Sequence, residues 1–455
     1  MSEQLQPIFP ACECVAHQGW YRQFLGWQQD KMEVDVSSCM RKCFLCKKMA
    51  SRPSDIRKHL KSQHGVRVRE AYPGRRKIER PFILDANPFE DVLRSLQDVC
   101  GSEILQILRD GDLTALEQVS GDTVGLWEET CGVLPRKYDA TSCWKEAPPR
   151  DTDVFQALHR MTGSPPQLPT ECLPGEEWRV MNNGTAVENT EIAKVFYYTL
   201  SGQFNPNLYA IGHKSPNPVP GGALQVPGAS RLCAFHMTEP IFNVSPKGSW
   251  VDLHIDNGTD AISVTIGGCT KVWCMWPPSR ENLELYEGVK TMPFKLNKIS
   301  SLLKNGIIFS SDSSEAVIIP AGCIHGTFTL TPGFLASAEF MTLHTVGPAA
   351  ECLTRGFFGP LHHEIDPNCI YLFLNAFEIA LQNGKPEKAL KSWETAQKAL
   401  RSAASTDMLF RKTAKQVWRR FLHAPDAPKK CPCGRQEEGK SLASHVKKDH
   451  CNYLY

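Results

Sequence analysis

The sequence predicts a mixed fold on a mainly β core, a barrel or double-sheet jelly roll, with flanking helices and a small metal-held module near each end. Three observations predict it. From Leu232 onward short apolar runs recur between turn residues, among them WVDLHI, AISVTI, KVWCMW, EAVIIP, GTFTL and FLASAEF, the pattern of an all-β sandwich or barrel. Apolar stripes of helical period stand on both sides of that stretch. Cysteines and histidines gather in paired clusters near the two ends.

Bulk composition narrows the setting. A chain of 455 residues suits about two to four domains, one of them with a large core. The net charge is only +2, yet residues 41–80 carry 14 Lys/Arg against 3 Asp/Glu, residues 411–455 carry 11 against 4, and residues 81–410 carry 24 against 37. Basic ends around an acidic middle suit contact with DNA or another polyanion; solvated basic linkers would carry the same charge. The 18 cysteines come without a secretory leader at MSEQLQPIFPACEC and without an apolar run that could span a membrane. A reducing compartment, terminal cysteines acting as metal ligands and no membrane partner are therefore expected. Cys233, Cys269, Cys274 and Cys323 read as small core residues.

Residues 1–40 receive no module, because Cys12, Cys14, His17 and Cys39 would make a further metal site only at a non-standard spacing. Residues 41–65 hold Cys43-x2-Cys46-x12-His59-x4-His64. That spacing suits tetrahedral Zn(II), with two thiolates from a knuckle and two imidazoles from a helix. Histidines five apart require a loosened last turn. The stretch resembles a C2H2 zinc finger: Ala50 and Ile56 stand at the family's core aromatic and leucine positions, and Arg52, Asp55 and Lys58 at its base-reading positions. Arg57, Lys58 and Lys61 suit phosphate contacts. Residues 66–80 form a basic linker suited to nuclear import or nucleic-acid contact. Residues 81–190 read as a mostly helical and irregular lead-in, with stripes at Phe89, Val92, Leu93 and Leu96 and at Ile104, Leu105, Ile107 and Leu108. EIAKVFYYTL (191–200) reads as a helix or a buried strand, and 205–230 as a long loop.

The core region, 191–360, carries the chemistry. His254 and Asp256 lie two apart, so on a strand both face the same way. His325 follows the turn in IIPAGCIHG. Two histidines and one carboxylate form the facial triad that holds non-haem Fe(II) with coordination positions open. Each residue alone is more often an ordinary one; their ensemble with Lys271 is what points to a site. Lys271 begins an apolar strand and should share an interior face with Trp273 and Met275. An ammonium there needs an anionic partner. A dicarboxylate such as 2-oxoglutarate would chelate iron at one end and meet Lys271 at the other.

These residues carry a resemblance. Over roughly residues 190–360 the chain is similar to the JmjC (Jumonji C) family of Fe(II)/2-oxoglutarate oxygenases, most of all to its histone lysine demethylase branch. The likeness is strongest in GSWVDLHIDNGTDAISV, GGCTKVWCMWPPSRENLELYEG and IIPAGCIHGTFTLTPGF. It implies a double-stranded β-helix, the cupin-like jelly roll of the JmjC barrel. It places iron ligands at His254, Asp256 and His325 and the co-substrate lysine at Lys271. The chain departs from the family at Val251, where a threonine is usual, at Val264, where an aromatic is usual, and at Ala338-Glu339-Phe340, where a polar strand is usual. Loss of one hydrogen bond to a charged group at Val251 would cost about 1.5–3 kcal/mol of co-substrate binding.

Residues 366–424 hold three helical patterns, read as a helical domain beside the core. Residues 429–455 form a degenerate C2H2-like finger, Cys431-x1-Cys433-x11-His445-x4-His450, with Cys451 as an alternate donor. The leading reading is a nuclear, chromatin-associated oxygenase that uses Fe(II) and 2-oxoglutarate on a protein substrate and carries Zn(II) near its ends. Histone lysine demethylation is its finer form, with oxidative decarboxylation to succinate and CO2 driving hydroxylation of an N-methyl group that then leaves as formaldehyde. A hydroxylase of a non-histone protein is one alternative, and a catalytically silent chromatin- or DNA-binding module is another.

Overall fold

The computed structural model describes residues 33–37, 43, 46, 48, 50, 52–64 and 67–71, and then 87–150, 152–154, 179–182, 185–187, 192–214, 223–227, 235, 237–357, 367–424 and 428–455. The grouping of Cys12, Cys14, His17 and Cys39 lies outside these residues. The chain divides into two compact units, Met1–Ala86 and Asn87–Tyr455.

In the first unit, strand β1 (Glu33–Ser37) pairs in parallel with β2 (Arg67–Ala71). Helix α1 (Pro53–His64) falls between them in sequence. Asp55 in its first turn and Lys61 and His64 in its last agree with the helix dipole. Ile56 and Leu60, one turn apart, are fully buried and form the helix's core stripe.

The second unit is a mixed α/β body on two antiparallel-rich sheets stacked as a sandwich. Its strands are β3 (Leu113–Ala115), β4 (Arg136–Asp139), β5 (Arg179–Asn182), β6 (Thr185–Val187), β7 (Leu208–Lys214), β8 (Ile241–Ser245), β9 (Trp250–His254), β10 (Asp260–Ile266), β11 (Thr270–Trp276), β12 (Gly306–Ser311), β13 (Glu315–Ile319), β14 (Ile324–Thr331) and β15 (Gly333–Phe340). The larger sheet runs β4-β13-β10-β15-β8-β7-β5-β6 and the smaller β3-β12-β11-β14-β9. Among the described residues only the β3–β12 strand pair is parallel within them.

Both faces of each sheet are covered, which explains the near-continuous apolar runs. Alternation sorts the residues. On β11, Trp273 and Met275 point between the sheets and pack with Ala261, Val317, Ile319 and Leu335 of the opposite sheet. Val272, Cys274 and Trp276 point outward, under helices α2 (Pro88–Leu96) and α3 (Ser102–Asp110). On the larger sheet Ile262, Val264, Ala336 and Ala338 point outward and pack with Val195 and Phe196 of α5 (Ile192–Ser201). Helix α4 (Gly121–Cys131) plugs one end of the sandwich with Trp127 and Cys131.

The remaining helices are α6 (Arg280–Glu287), α7 (Lys295–Ile299), α8 (Val346–Arg355), α9 (Pro367–Gln382), α10 (Pro386–Thr395), α11 (Gln397–Thr406), α12 (Met408–Leu422) and α13 (Leu442–His445). Helices α9 to α12 pack around Phe373, Phe377, Trp393 and Trp418.

Several expectations change. Of the two readings of EIAKVFYYTL the helix is the one found, as α5. The three C-terminal patterns give four helices, because the second breaks at Ala396, a residue shared between the end of α10 and the start of α11. Strands β8 and β12 do not stand out as strands in the sequence: Asn243 interrupts the apolar run of β8, and that of β12 is only Ile307-Ile308-Phe309 before two serines. Val264, at the family's usual aromatic position, faces the outer core rather than the space between the sheets. Among the described residues no helix is long and apolar enough to cross a membrane.

Candidate metal and co-substrate site

The first site gathers at one end of the sandwich. His254 closes β9, and His325 stands opposite it in register near the start of β14. Asp256 lies beyond the strand end, so no strand alternation aims it; a turn does. The turn closes through a Gly258 N–H to the Asp256 carbonyl. Gly258 has φ +76°, and a Cβ there would sit 2.8 Å from the Ala349 Cα, so this position needs glycine. A second glycine turn, with Gly322 at φ +72°, delivers Cys323 and His325.

The donor atoms converge. His254 Nε2 is 3.7 Å from Asp256 Oδ1, and His325 Nε2 is 3.6 Å from Asp256 Oδ2. The two rings lie 4.1 Å apart. Each ring's other nitrogen contacts a backbone carbonyl: His254 Nδ1 meets Asp252 O at 2.9 Å, and His325 Nδ1 meets Cys323 O at 3.2 Å. A carbonyl only accepts, so Nδ1 carries the proton and Nε2 presents its lone pair, the second-shell arrangement typical of metal-bound histidine. Burial pushes both imidazoles down to about 4, helped at His254 by the neighbouring His325. Burial raises the Asp256 carboxyl, with His254 opposing. Neutral imidazoles beside a half-buried carboxylate form a donor set that a divalent cation would complete.

Asp252 and Cys323 are contributors that motif reading missed. The Asp252 carboxylate also accepts from the N–H groups of Lys295 and Leu296, at 2.7 and 2.9 Å, anchoring the start of α7 to β9. Glu339 is another. It accepts from Asn257 and Thr259, at 3.4 and 3.1 Å, and so steadies the loop that carries Asp256.

Lys271 is 2% exposed and reaches across the sandwich. Its Nζ donates to Ser245 Oγ of the larger sheet and to Thr329 Oγ1 of its own, each at 3.0 Å. Both contacts are neutral hydroxyls. Burial lowers its pKa by disfavouring the charged form, and among the described residues no carboxylate lies against it. A cleft of about 830 Å³ lined by Arg280, Glu351, Arg355 and Lys388 opens elsewhere on this unit and includes none of these four residues.

The two Cys/His clusters also assemble. Cys43, Cys46, His59 and His64 place their donor atoms within 4.8 Å of one another, and so do Cys431, Cys433, His445 and His450. In the first, Sγ–Nε2 separations are 3.6 Å (Cys43–His64) and 3.0 Å (Cys46–His59). In the second they are 3.4 Å (Cys431–His450) and 3.1 Å (Cys433–His445). A tetrahedral Zn(II) holding one thiolate and one imidazole sets that edge at about 3.5 Å. The loosened turn appears near the C-terminus as a π-helical turn, Val446–His450, closed by Cys451 N–H to Val446 O at 3.1 Å. Cys451 itself points elsewhere: its thiol donates to Val446 O.

No protein-family profile matches the chain. It is 27% identical over 113 residues to the JmjC domain-containing histone demethylation protein 1 of Debaryomyces hansenii, covering 22% of this chain and 22% of that protein. The chain bears a distant, partial similarity to JmjC proteins. The proteins of the same description from Saccharomyces cerevisiae and Candida albicans are 23% identical over 106 residues and 26% over 111, covering 20% and 23% of their lengths. The match thus spans about a fifth of these JmjC relatives.

Proposed function

We propose that this chain is an Fe(II)- and 2-oxoglutarate-dependent oxygenase of the JmjC type, acting on a chromatin protein in the nucleus. In this reading the sandwich is a double-stranded β-helix over residues 191–360. Residues 41–65 and 429–455 are zinc modules, 66–80 is a basic linker with DNA as its partner, 81–190 is the lead-in and 366–424 is a helical domain. Histone lysine demethylation is the finer form, on the strength of the relatives' description.

One observation carries the proposal: a buried lysine with no carboxylate partner among the described residues shares the space between the sheets with a two-histidine, one-carboxylate cluster. A buried ammonium satisfied only by hydroxyls is costly, and a dicarboxylate co-substrate would offset that cost. Fe(II) with 2-oxoglutarate would supply the oxidation, in which dioxygen gives one oxygen atom to succinate, with release of CO2, and the other to a substrate C–H bond that becomes C–OH. The chain's part is to position and exclude. His254, Asp256 and His325 would hold the metal and leave coordination positions for the co-substrate. Lys271 neutralises the far carboxylate, while Trp273 and Met275 keep water from the space beside it.

Succinate release over a panel of methyl-lysine histone peptides and unmodified protein peptides tests the reading. Turnover with at least one peptide is expected. Lys271→Ala should weaken 2-oxoglutarate binding at least a hundredfold, since a charge-assisted contact to a buried ion is worth about 3 kcal/mol or more. Absence of both 2-oxoglutarate binding and succinate would overturn the enzyme reading in favour of a silent binding module, which Val251 otherwise favours.

A further inference from the structure

We infer that Thr327 supplies the hydroxyl that fastens the co-substrate carboxylate beside Lys271, in place of the one that position 251 lacks; this rests on the 2-oxoglutarate reading above. On β14, His325, Thr327 and Thr329 alternate and therefore face the same way. His325 belongs to the metal cluster and Thr329 holds Lys271 Nζ. Thr327 stands midway, about 6.6 Å along the strand from each. Across the ladder its directly opposed partner is Val251, as Phe328 is opposed by Trp250. On the other side it is opposed by Trp273, which faces the space between the sheets.

The Thr327 side chain is the feature that calls for a ligand. The residue is 6% exposed; among the described residues its hydroxyl makes no hydrogen bond, and Oγ1 is not one of the fully enclosed unpartnered atoms, so it keeps some open space beside it. A hydroxyl on this face with no partner of its own is available to donate to an incoming carboxylate, which valine could not do. Directly opposed residues on a ladder place their Cβ atoms about 4.5–5.5 Å apart on one face. A hydroxyl moved from 251 to 327 thus stays within reach of the same carboxylate.

The test uses the full chain, Mn(II) as the metal probe, and calorimetric binding of 2-oxoglutarate. Thr327→Val should weaken 2-oxoglutarate about ten- to hundredfold and leave Mn(II) affinity unchanged. Thr327→Ser should bind nearly as the parent, and the double variant Val251→Thr/Thr327→Val should recover most of the loss. If Thr327→Val binds as the parent while Lys271→Ala does not, this inference is wrong and the co-substrate reading survives. If the parent chain itself does not bind 2-oxoglutarate, the co-substrate reading fails and takes this one with it. Parallel loss of Mn(II) affinity with no recovery in the double variant would make Thr327 a support for His325 only and would overturn the inference.

Discussion

The histidines of the two Cys/His clusters meet alike: His59 and His64 have ring centroids 5.1 Å apart at 83°, His445 and His450 5.1 Å apart at 84°. What surrounds them differs. In the first unit Cys46 is exposed, His59 and His64 are half-buried, and among the described residues only Cys43, Ile56 and Leu60 are buried. Near the C-terminus Cys431, His445 and His450 are buried, and Trp418 stacks on His450 with a centroid distance of 6.1 Å. Trp393 Nε1 donates to the His450 carbonyl at 2.8 Å, and Asp449 holds the outer nitrogen of His445 at 2.6 Å. Cys431, Val446, Cys451 and Leu454 belong to the same core as α9 to α12. The same four donors thus serve two ends: one cluster must create a fold, the other closes a fold that has its own core.

The sharpest way to break this contrast is metal removal. With a strong chelator, α1 should lose all amide protection, because structural zinc supplies about 10–16 kcal/mol in modules of this size and little else is buried. The helices α9 to α12 should keep theirs. Survival of α1 without metal, seen by hydrogen exchange, would remove the distinction. A smaller effect is expected at the other cluster. Cys433→Ala should lower the stability of the second unit by about 4 kcal/mol when zinc is held near a thousand times its Kd, the linkage value for losing the ion. A melting temperature insensitive to zinc would deny that cluster a metal. Smallest is Trp393→Phe, which removes one buried donor from the His450 carbonyl and should cost about 1–2 kcal/mol, read as a shift in denaturant midpoint with an unchanged slope.

Much of this was legible in the sequence, for physical reasons that can be named. Metal-ligand spacing is a local property, so both Cys/His groups and the His254/Asp256 pair stand out in the chain itself. Alternation on β11 separates Lys271, Trp273 and Met275 from Val272, Cys274 and Trp276 before any coordinates are known. Register is not local. That Val251 opposes Thr327, that Ser245 reaches Lys271 from the other sheet, and that Cys323 O orients His325 all depend on how distant strands slide past one another. Val264 shows the same limit: its residue type was plain, but its face was set by the pairing of β10 with β13 and β15. The α10–α11 break at Ala396 carries no glycine or proline, so only packing reveals it.

The irregularity between β9 and β14 has a consequence of its own. His325 opposes His254, yet Thr327, two residues on, opposes Val251, three residues back. The extra residue on β9 is a bulge, and it works as a phase shifter between two halves of one strand. The half bearing His254 and the half bearing Val251 are decoupled in register. Substitutions can therefore retune the pocket end without disturbing the metal end, and deleting a single residue at 252 or 253 would remove the bulge and leave a plain ladder in which His254 and Val251 keep their partners His325 and Thr327.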